Sequence, residues 1–460
     1  MCFGSDRQAR ECVDSGVNSA QSGNMISGGR INFRHISRIV DNLSMSSVPS
    51  PKLKWDIFCK VVDNFGDIGV CWRLCCDLAS RGHRVRLWLD DTSALTWMAP
   101  AGCPGVVVID CSQGIPRNAL TTMSDVLVDT FGCEFAINLI AIKAINMPAS
   151  PQNGTKNSPV WLNLEYLTAE SYAERSHTLP YTHHAGPAAG WTQRYFYPGF
   201  NGRTGGLLRE ADLFERQKAF DRAVWLNQLL GRNDMVESSF PRGRESTSAT
   251  IDSHLCGNDR MGDIENTRFI SLFCYEPAAL EALIDQLTAT QSATHLLVTA
   301  GRATAAVKAI LEHKRRLKPA YLLPILLSIS YLPTLTQHDY DHLLWACDLN
   351  FVRGEDSLVR AIWAGKPFIW QIYPQTDGAH HKKLDAFLDM MNAPASLKLA
   401  HVAWNADPSS ITTKETNDQA PRWPALDLPS WAQSAQNLSK TLRNQDDLTA
   451  SLIAFAEKNS

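Results

Sequence analysis

Short apolar runs bounded by glycine and charge alternate along this chain with stretches whose apolar residues recur every three or four positions. The first convincing run is Trp55-Asp56-Ile57-Phe58-Cys59-Lys60-Val61-Val62, which reads as a strand. Asp63-Asn64-Phe65-Gly66-Asp67-Ile68-Gly69 follows as a glycine-bearing loop. Over residues 70–80, Cys71, Leu74, Cys75 and Leu78 fall on one helical face. Arg81-Gly82-His83 ends that helix, and 84–89 is the next strand. Strand-like runs at 106–109, 125–128 and 160–164 continue the alternation. Residues 207–230 then read as one long amphipathic helix.

A second alternating unit begins at 268–275. It predicts helix 277–287, strand 295–299, helix 303–317, an apolar core strand within 322–332 and helix 337–346. Leu349-Asn350-Phe351-Val352 follows as a buried strand, and a helix starts at Glu355-Asp356-Ser357. Gly365-Lys366-Pro367 closes that helix, and Phe368-Ile369-Trp370 opens another strand. Strands alternating with helices mean an α/β chain with parallel, doubly wound sheets.

Between these units lie polar stretches without periodicity. The organisation expected is a disordered extension (1–51), a Rossmann-like domain (52–232) and a flexible insertion (233–266). A second Rossmann-like domain (267–427) and a helical segment (428–460) that crosses back to the first domain complete it. Met45 is a candidate start codon, and 407–419 reads as a loop. Two such halves facing across a cleft bind ligands where strand carboxyl ends meet. That is the arrangement of GT-B glycosyltransferases and also of nucleotide-sugar epimerases, so the fold alone does not choose.

Composition narrows the class. The 460 residues are 44% hydrophobic and 20% charged, as in ordinary soluble domains, and the formal net charge of -3 supplies no basic field for nucleic acid. No apolar run reaches the length of a membrane span, and no signal peptide is visible. The twelve cysteines are scattered without metal-ligand spacing, which suits structural thiols in a reducing cytoplasm. His183-His184 and His380-His381 read as surface residues.

The stretch with the most chemistry is Arg353-Gly354-Glu355-Asp356-Ser357. A helix N-terminus at the carboxyl end of a strand offers free backbone N–H groups, and with Arg353 beside them these suit a diphosphate. An ordinary βαβ turn with a solvated charge cluster is the alternative. Asp63 and Asp67 bracket the first loop, where two carboxylates can orient a cationic acceptor and take its proton. Asp67 is equally well placed to cap the next helix. Asp90-Asp91 reads as a solvated turn. Phe273 and Tyr275 end a strand and could pack on a sugar or base, or belong to the core. Gln337 opens a helix, where its amide could pair with a pyrimidine edge or simply be an exposed capping residue. Glu165-Tyr166 is a candidate for the acceptor side.

Several of these motifs together resemble the bacterial elongation factor P arginine rhamnosyltransferases. They are Val62 to Leu74, Leu162-Asn163-Leu164-Glu165-Tyr166-Leu167, Tyr197-Pro198-Gly199-Phe200, Thr204 to Glu210, Ser271 to Glu276, Leu344 to Ser357 and Ile372-Tyr373-Pro374-Gln375. The resemblance implies an inverting GT-B enzyme of the cytoplasm. Such an enzyme moves L-rhamnose from dTDP-β-L-rhamnose to an arginine of elongation factor P, activating it to relieve stalling at proline runs. By motif position, Asp67 matches the general base, Asp63 its companion carboxylate, and Glu355 a residue needed for activity. Phe273, Tyr275, Gln337, Tyr340, Arg353, Asp356 and Ser357 match positions of the donor pocket, and no metal or other cofactor is implied. Thr334 stands where the family often has an aromatic residue near the thymine, and Gln375-Thr376-Asp377-Gly378 replaces a more acidic run. The chemistry is consistent: a protonated guanidinium must be held by carboxylates and lose a proton as its bond forms. The competing readings are an epimerase or lipid-directed glycosyltransferase on the same fold, or a non-catalytic nucleotide-sugar-binding partner of a translation factor.

Overall fold

The computed structural model describes residues 52–62, 65–116, 124–133, 135–146, 159–232, 236–237, 264–318, 326–375, 377–406 and 423–460. The extension 1–51 with Met45, most of 233–266 and the loop 407–419 therefore lie outside the described residues.

Each half is built on a mostly parallel sheet. The first has the order β3-β2-β1-β4-β5-β7-β6, with β1 Lys54–Cys59, β2 Arg84–Leu89, β3 Val106–Asp110, β4 Val126–Thr130, β5 Val160–Leu164, β6 Pro180–Thr182 and β7 Thr192–Phe196. Only β6, an edge strand, runs antiparallel to its neighbour. The second sheet has the order β13-β12-β9-β10-β11-β8, with β8 Val236–Glu237, β9 Arg268–Leu272, β10 Thr294–Val298, β11 Leu327–Tyr331, β12 Leu349–Arg353 and β13 Phe368–Gln371. Here β8, within the segment read as an insertion, pairs antiparallel with Ile329 and Ser330 of β11.

The central strands read as continuous apolar runs because helices cover both of their faces. Ile57, Phe58, Val128 and Leu162 are fully buried, whereas edge strand β3 exposes Val107 and Val108. In the first sheet the direction of winding reverses between β1 and β4, and in the second between β9 and β12. Chain leaving neighbouring strands there diverges and opens a crevice. Asp67 lies in the first turn of the helix after β1, Phe131 and Phe273 directly follow β4 and β9, and Arg353 ends β12.

Two boundaries differ from the sequence reading. The stretch 207–230 is not one helix but two, Leu213–Ala219 and Arg222–Arg232, separated at an extended Phe220. Asp221 accepts a hydrogen bond from the Val224 N–H at 2.9 Å and starts the second. Leu207 to Glu210 stay non-helical and serve a crossing between the halves through the Leu207 backbone and the Arg209 guanidinium. Leu207 O accepts from Leu448 N, and Arg209 donates to Arg443 O and Gln445 O. A Cβ on Gly206, whose φ is +76°, would lie 2.3 Å from Asp446 O, so only glycine permits that approach. The C-terminal helical segment is likewise two helices, Leu428–Arg443 and Leu448–Asn459. Trp431, Ala435 and Leu438 of the former join the core of the second sheet, and Leu448, Leu452 and Ala456 of the latter that of the first.

Candidate functional site

The first half contributes the N-terminus of the Gly66–Ser80 helix. That helix starts earlier than residue 70, and Asp67 lies inside its first turn. Phe65 occupies the N-cap position and no side chain caps it, so Asp67 is not the cap. Its Oδ2 instead accepts from Val62 N at 2.9 Å, and the carboxylate is 5% exposed at the floor of the crevice. Negative charge in a first turn is favoured by the helix dipole. Asp63 lies outside the described residues.

The second half contributes Arg353 at the end of β12 and the Gly354–Ala364 helix that follows directly. Arg353 is 6% exposed, and its Cζ lies 4.5 Å from the Phe273 ring centroid and 4.4 Å from that of Tyr275. No carboxylate forms an ion pair with it among the described residues. Two aromatic faces thus hold a desolvated cation in place without neutralising it. Gly354 starts the helix at φ +66°, and its carbonyl accepts from Trp370 Nε1 at 2.8 Å. The hydroxyl of Ser357 accepts from Arg353 N at 3.0 Å and donates to Arg353 O, which locks the turn.

A narrow cavity of about 90 Å³ lies along this turn, lined by Phe65, Phe273, Thr334, Gln337, Tyr340, Arg353, Asp356 and Ser357 among others. The Tyr340 hydroxyl has no hydrogen-bond partner among the described residues, and burial pushes its pKa well up. Tyr275 is behind Arg353 rather than in that lining. Gln337 is not an exposed cap, since Thr336 caps its helix and accepts from Asp339 N. Its Nε2 reaches across to Gly69 O at 2.9 Å, so the amide joins the halves beside the cavity.

On the other side of Gly66 opens a larger cavity of about 500 Å³. Asp67, Phe131, Glu165, Tyr166, Glu170, Tyr172, Tyr197, Glu355, Tyr373 and Lys383 are among its walls. Glu355 spans the halves: Oε2 accepts from Leu167 N at 2.8 Å, and Oε1 from Lys383 Nζ at 2.7 Å. Burial, and then the charge of Glu355, raises the pKa of Glu165. Burial and the same glutamate, Glu165, push Tyr197 up to about 12. His380 is not a surface residue: it is buried in this wall, and its Nδ1 accepts from Gln375 N at 3.1 Å. Thus Asp67 and Glu355 share one cavity, while Phe273, Gln337, Tyr340, Arg353, Asp356 and Ser357 share the other. The helix N-terminus at Gly354 lies between them.

Sequence reasoning missed the seam that holds these parts together. Arg73, from the Gly66–Ser80 helix, lies 3.1 Å from Asp341 and 3.2 Å from both Glu210 and Asp356. Arg360 grips both oxygens of Asp341 at 2.8 and 2.7 Å and reaches Glu210 at 2.6 Å. Burial alone would lower the Arg73 pKa, yet Asp341, Asp356 and Glu210 hold it above the usual arginine range. Burial likewise opposes the charge on Glu210, but Arg360 and Arg73 depress its pKa. At Asp356 burial wins over both arginines, and its pKa is raised. The only signal in sequence was charge at positions where a helix faces its core, as with Arg73 between Trp72 and Leu74.

Residues 55–457 match the model of a family described as elongation factor P (EF-P) rhamnosyltransferase EarP. A protein-arginine rhamnosyltransferase of Pseudomonas aeruginosa is 35% identical over 416 residues, covering 87% of this chain and 98% of the relative. That of Pseudomonas putida is 36% identical over 88% of this chain and 98% of its own length. A solved structure described as the structural basis for EarP-mediated arginine glycosylation of EF-P aligns with a TM-score of 0.50 and 27% identity. It covers 88% of this chain and 98% of the solved one.

Proposed function

The chain belongs to the EarP family of EF-P rhamnosyltransferases and is a protein-arginine rhamnosyltransferase of GT-B fold, and from that premise we propose that it transfers L-rhamnose from dTDP-β-L-rhamnose to an arginine of EF-P with inversion. Family membership sets aside the epimerase, lipid-directed and non-catalytic readings. In this proposal the modified EF-P relieves stalling at proline runs, and the reaction takes place in the cytoplasm. No helix among the described residues is long and apolar enough to cross a membrane.

One observation carries the reading: Asp67 and Arg353 come from different halves and line two adjoining cavities that meet at Gly66, with the Gly354 helix N-terminus between them. Inversion requires attack on the anomeric carbon from the face opposite the leaving group. In the proposed reaction the acceptor guanidinium nitrogen forms the new bond to that carbon and passes its proton to Asp67. The bond from the carbon to the diphosphate oxygen breaks, and the electron pair leaves with dTDP. Arg353 and the N–H groups that open the Gly354–Ala364 helix stabilise the departing charge. A fixed guanidinium and a helix dipole supply what a divalent ion supplies in other glycosyltransferases, so the proposed reaction needs no metal. Asp63 is assigned as the companion carboxylate. Glu355, held by Lys383 and Leu167, keeps the donor-side helix registered on the acceptor side. The narrow cavity takes the nucleotide, with Phe273, Tyr340 and Gln337 around the base and sugar and Asp356 and Ser357 shaping the turn.

The test is mass spectrometry of EF-P after incubation with this protein and dTDP-L-rhamnose in EDTA. A gain of one deoxyhexose on an arginine is expected. Unmodified EF-P with intact donor overturns the acceptor and donor assignment, and activity that only magnesium restores overturns metal independence.

A further inference from the structure

Phe131 directly follows β4 with φ +56°, a left-handed conformation that bulky side chains rarely adopt. Gly132 follows at φ +73°, so the turn is one that glycine or asparagine builds more readily. The conformation presents the Phe131 ring to Tyr166, beyond the end of β5. The two rings stack with centroids 4.7 Å apart and planes 20° from parallel. Tyr166 is 41% exposed, and both rings stand in the wall of the larger cavity with Asp67 and Glu165. Glu165 takes a hydrogen bond from Asn163 Nδ2 at 2.6 Å and has no cation partner among the described residues. Lys383 Nζ, paired with Glu355, also lies 5.7 Å from the Tyr166 centroid, so a cation already stands against this ring. Elsewhere in the molecule, Arg353 lies against two rings in the same manner.

Resting on the reading that the acceptor is an arginine side chain, we infer that the Phe131–Tyr166 pair is the platform on which the acceptor guanidinium lies, with the Glu165 carboxylate at its edge. A planar, weakly hydrated cation gains from stacking on a ring face, whereas a compact ammonium keeps its water. The platform therefore selects arginine over lysine and orients the nucleophilic nitrogen toward Asp67. Burial comes first among the causes that push the Tyr166 hydroxyl up, and Asp67 and Glu355 follow, which places those carboxylates around the same ring.

The variant F131G tests this, because glycine adopts the observed backbone conformation and removes only the ring. Steady-state kinetics with EF-P and dTDP-L-rhamnose should show an acceptor KM raised about tenfold, within the usual range of a cation–ring contact. Donor KM should be unchanged. Y166F should keep acceptor KM near wild type, and Y166L should raise it as F131G does. Methylguanidinium should compete with EF-P less well against F131G than against wild type. An unchanged acceptor KM in F131G, a changed donor KM instead, or equal losses in Y166F and Y166L would each overturn the inference. Failure of the wild-type protein to modify EF-P would instead count against the acceptor reading itself.

Discussion

Arg353 and Arg360 belong to consecutive elements and are both almost fully buried, yet they meet opposite surroundings. Arg360 is saturated: Asp341 takes it with both oxygens and Glu210 adds a third contact. Arg353 faces two aromatic rings and a carbonyl, and it forms no ion pair with a described carboxylate. Burying an ion is costly unless partners repay it, so an open buried charge persists only where a ligand completes it or rigid packing enforces it. The carboxylates repeat the contrast. Glu210 sits between two arginines with its pKa depressed, whereas Glu165, without a cation partner among the described residues, has its pKa raised. The seam pairs its charges across the halves, while Arg353 and Glu165, in the cavity walls, form no ion pair among the described residues.

The largest effect expected concerns Asp67. Asp67→Asn keeps the side-chain shape and removes the proton acceptor, so turnover should fall roughly 10²–10⁴-fold while chemical denaturation and donor affinity stay near wild type. Near-normal turnover would move the base elsewhere, with Glu355 next in line. A seam variant should behave in the opposite way. Asp341→Asn strips charge from between Arg73 and Arg360 and should cost about 3–5 kcal/mol of stability in urea unfolding, as broken buried pairs do. A change under about 1 kcal/mol would mean that water or repacking compensates the arginines.

Arg353→Met sharpens the contrast from the other side. Donor affinity by calorimetry should weaken about 10–100-fold, the loss of a charge-assisted contact, with a smaller stability change than in Asp341→Asn. Loss of stability with unaltered donor affinity would reassign Arg353 to the seam's class of structural cations.

The smallest effect expected is in the pH dependence. The depressed pKa of Glu210 contributes stability present above its ordinary value of 4.5 and lost as pH falls through the lower folded value. The raised pKa of Glu165 acts in reverse. Its neutral form is the one the fold tolerates, so stability is full below 4.5 and declines as pH rises through the higher folded value. Glu165→Gln should therefore stabilise the protein at pH 8 and leave it unchanged at pH 4. Glu210→Gln should destabilise it at pH 8, with the loss shrinking under strong acid. Identical signs for the two variants at pH 8 would break the distinction drawn here.

Much of this was legible before any tertiary structure. Alternating apolar runs and helical periods located most of the strands and helices. The breaks at Phe220 and at Asn444 to Asp447 were not, because they answer to the crossing of two chain segments that meet only in the folded molecule. Asp67 and Arg353 stood out as candidates in the sequence because one follows the carboxyl end of a strand and the other forms it. Whether Asp67 caps its helix was not legible, since aspartate suits either role and the choice depends on where the Val62 N–H lies.

The local chain thus determined the elements and the residues able to do chemistry, because period, turn residues and helix starts are short-range properties. It also determined the family, through motifs spread over nearly the whole chain. Tertiary structure alone decided which buried charges neutralise one another. Arg73, Glu210, Asp341 and Arg360 are far apart in sequence and look like ordinary helix and loop charges there. Only packing brings them within 3.3 Å and desolvates them together, while Arg353 and Glu165 form no ion pair among the described residues. Coulombic energy depends on distance and on excluded water, and neither is written in the order of residues.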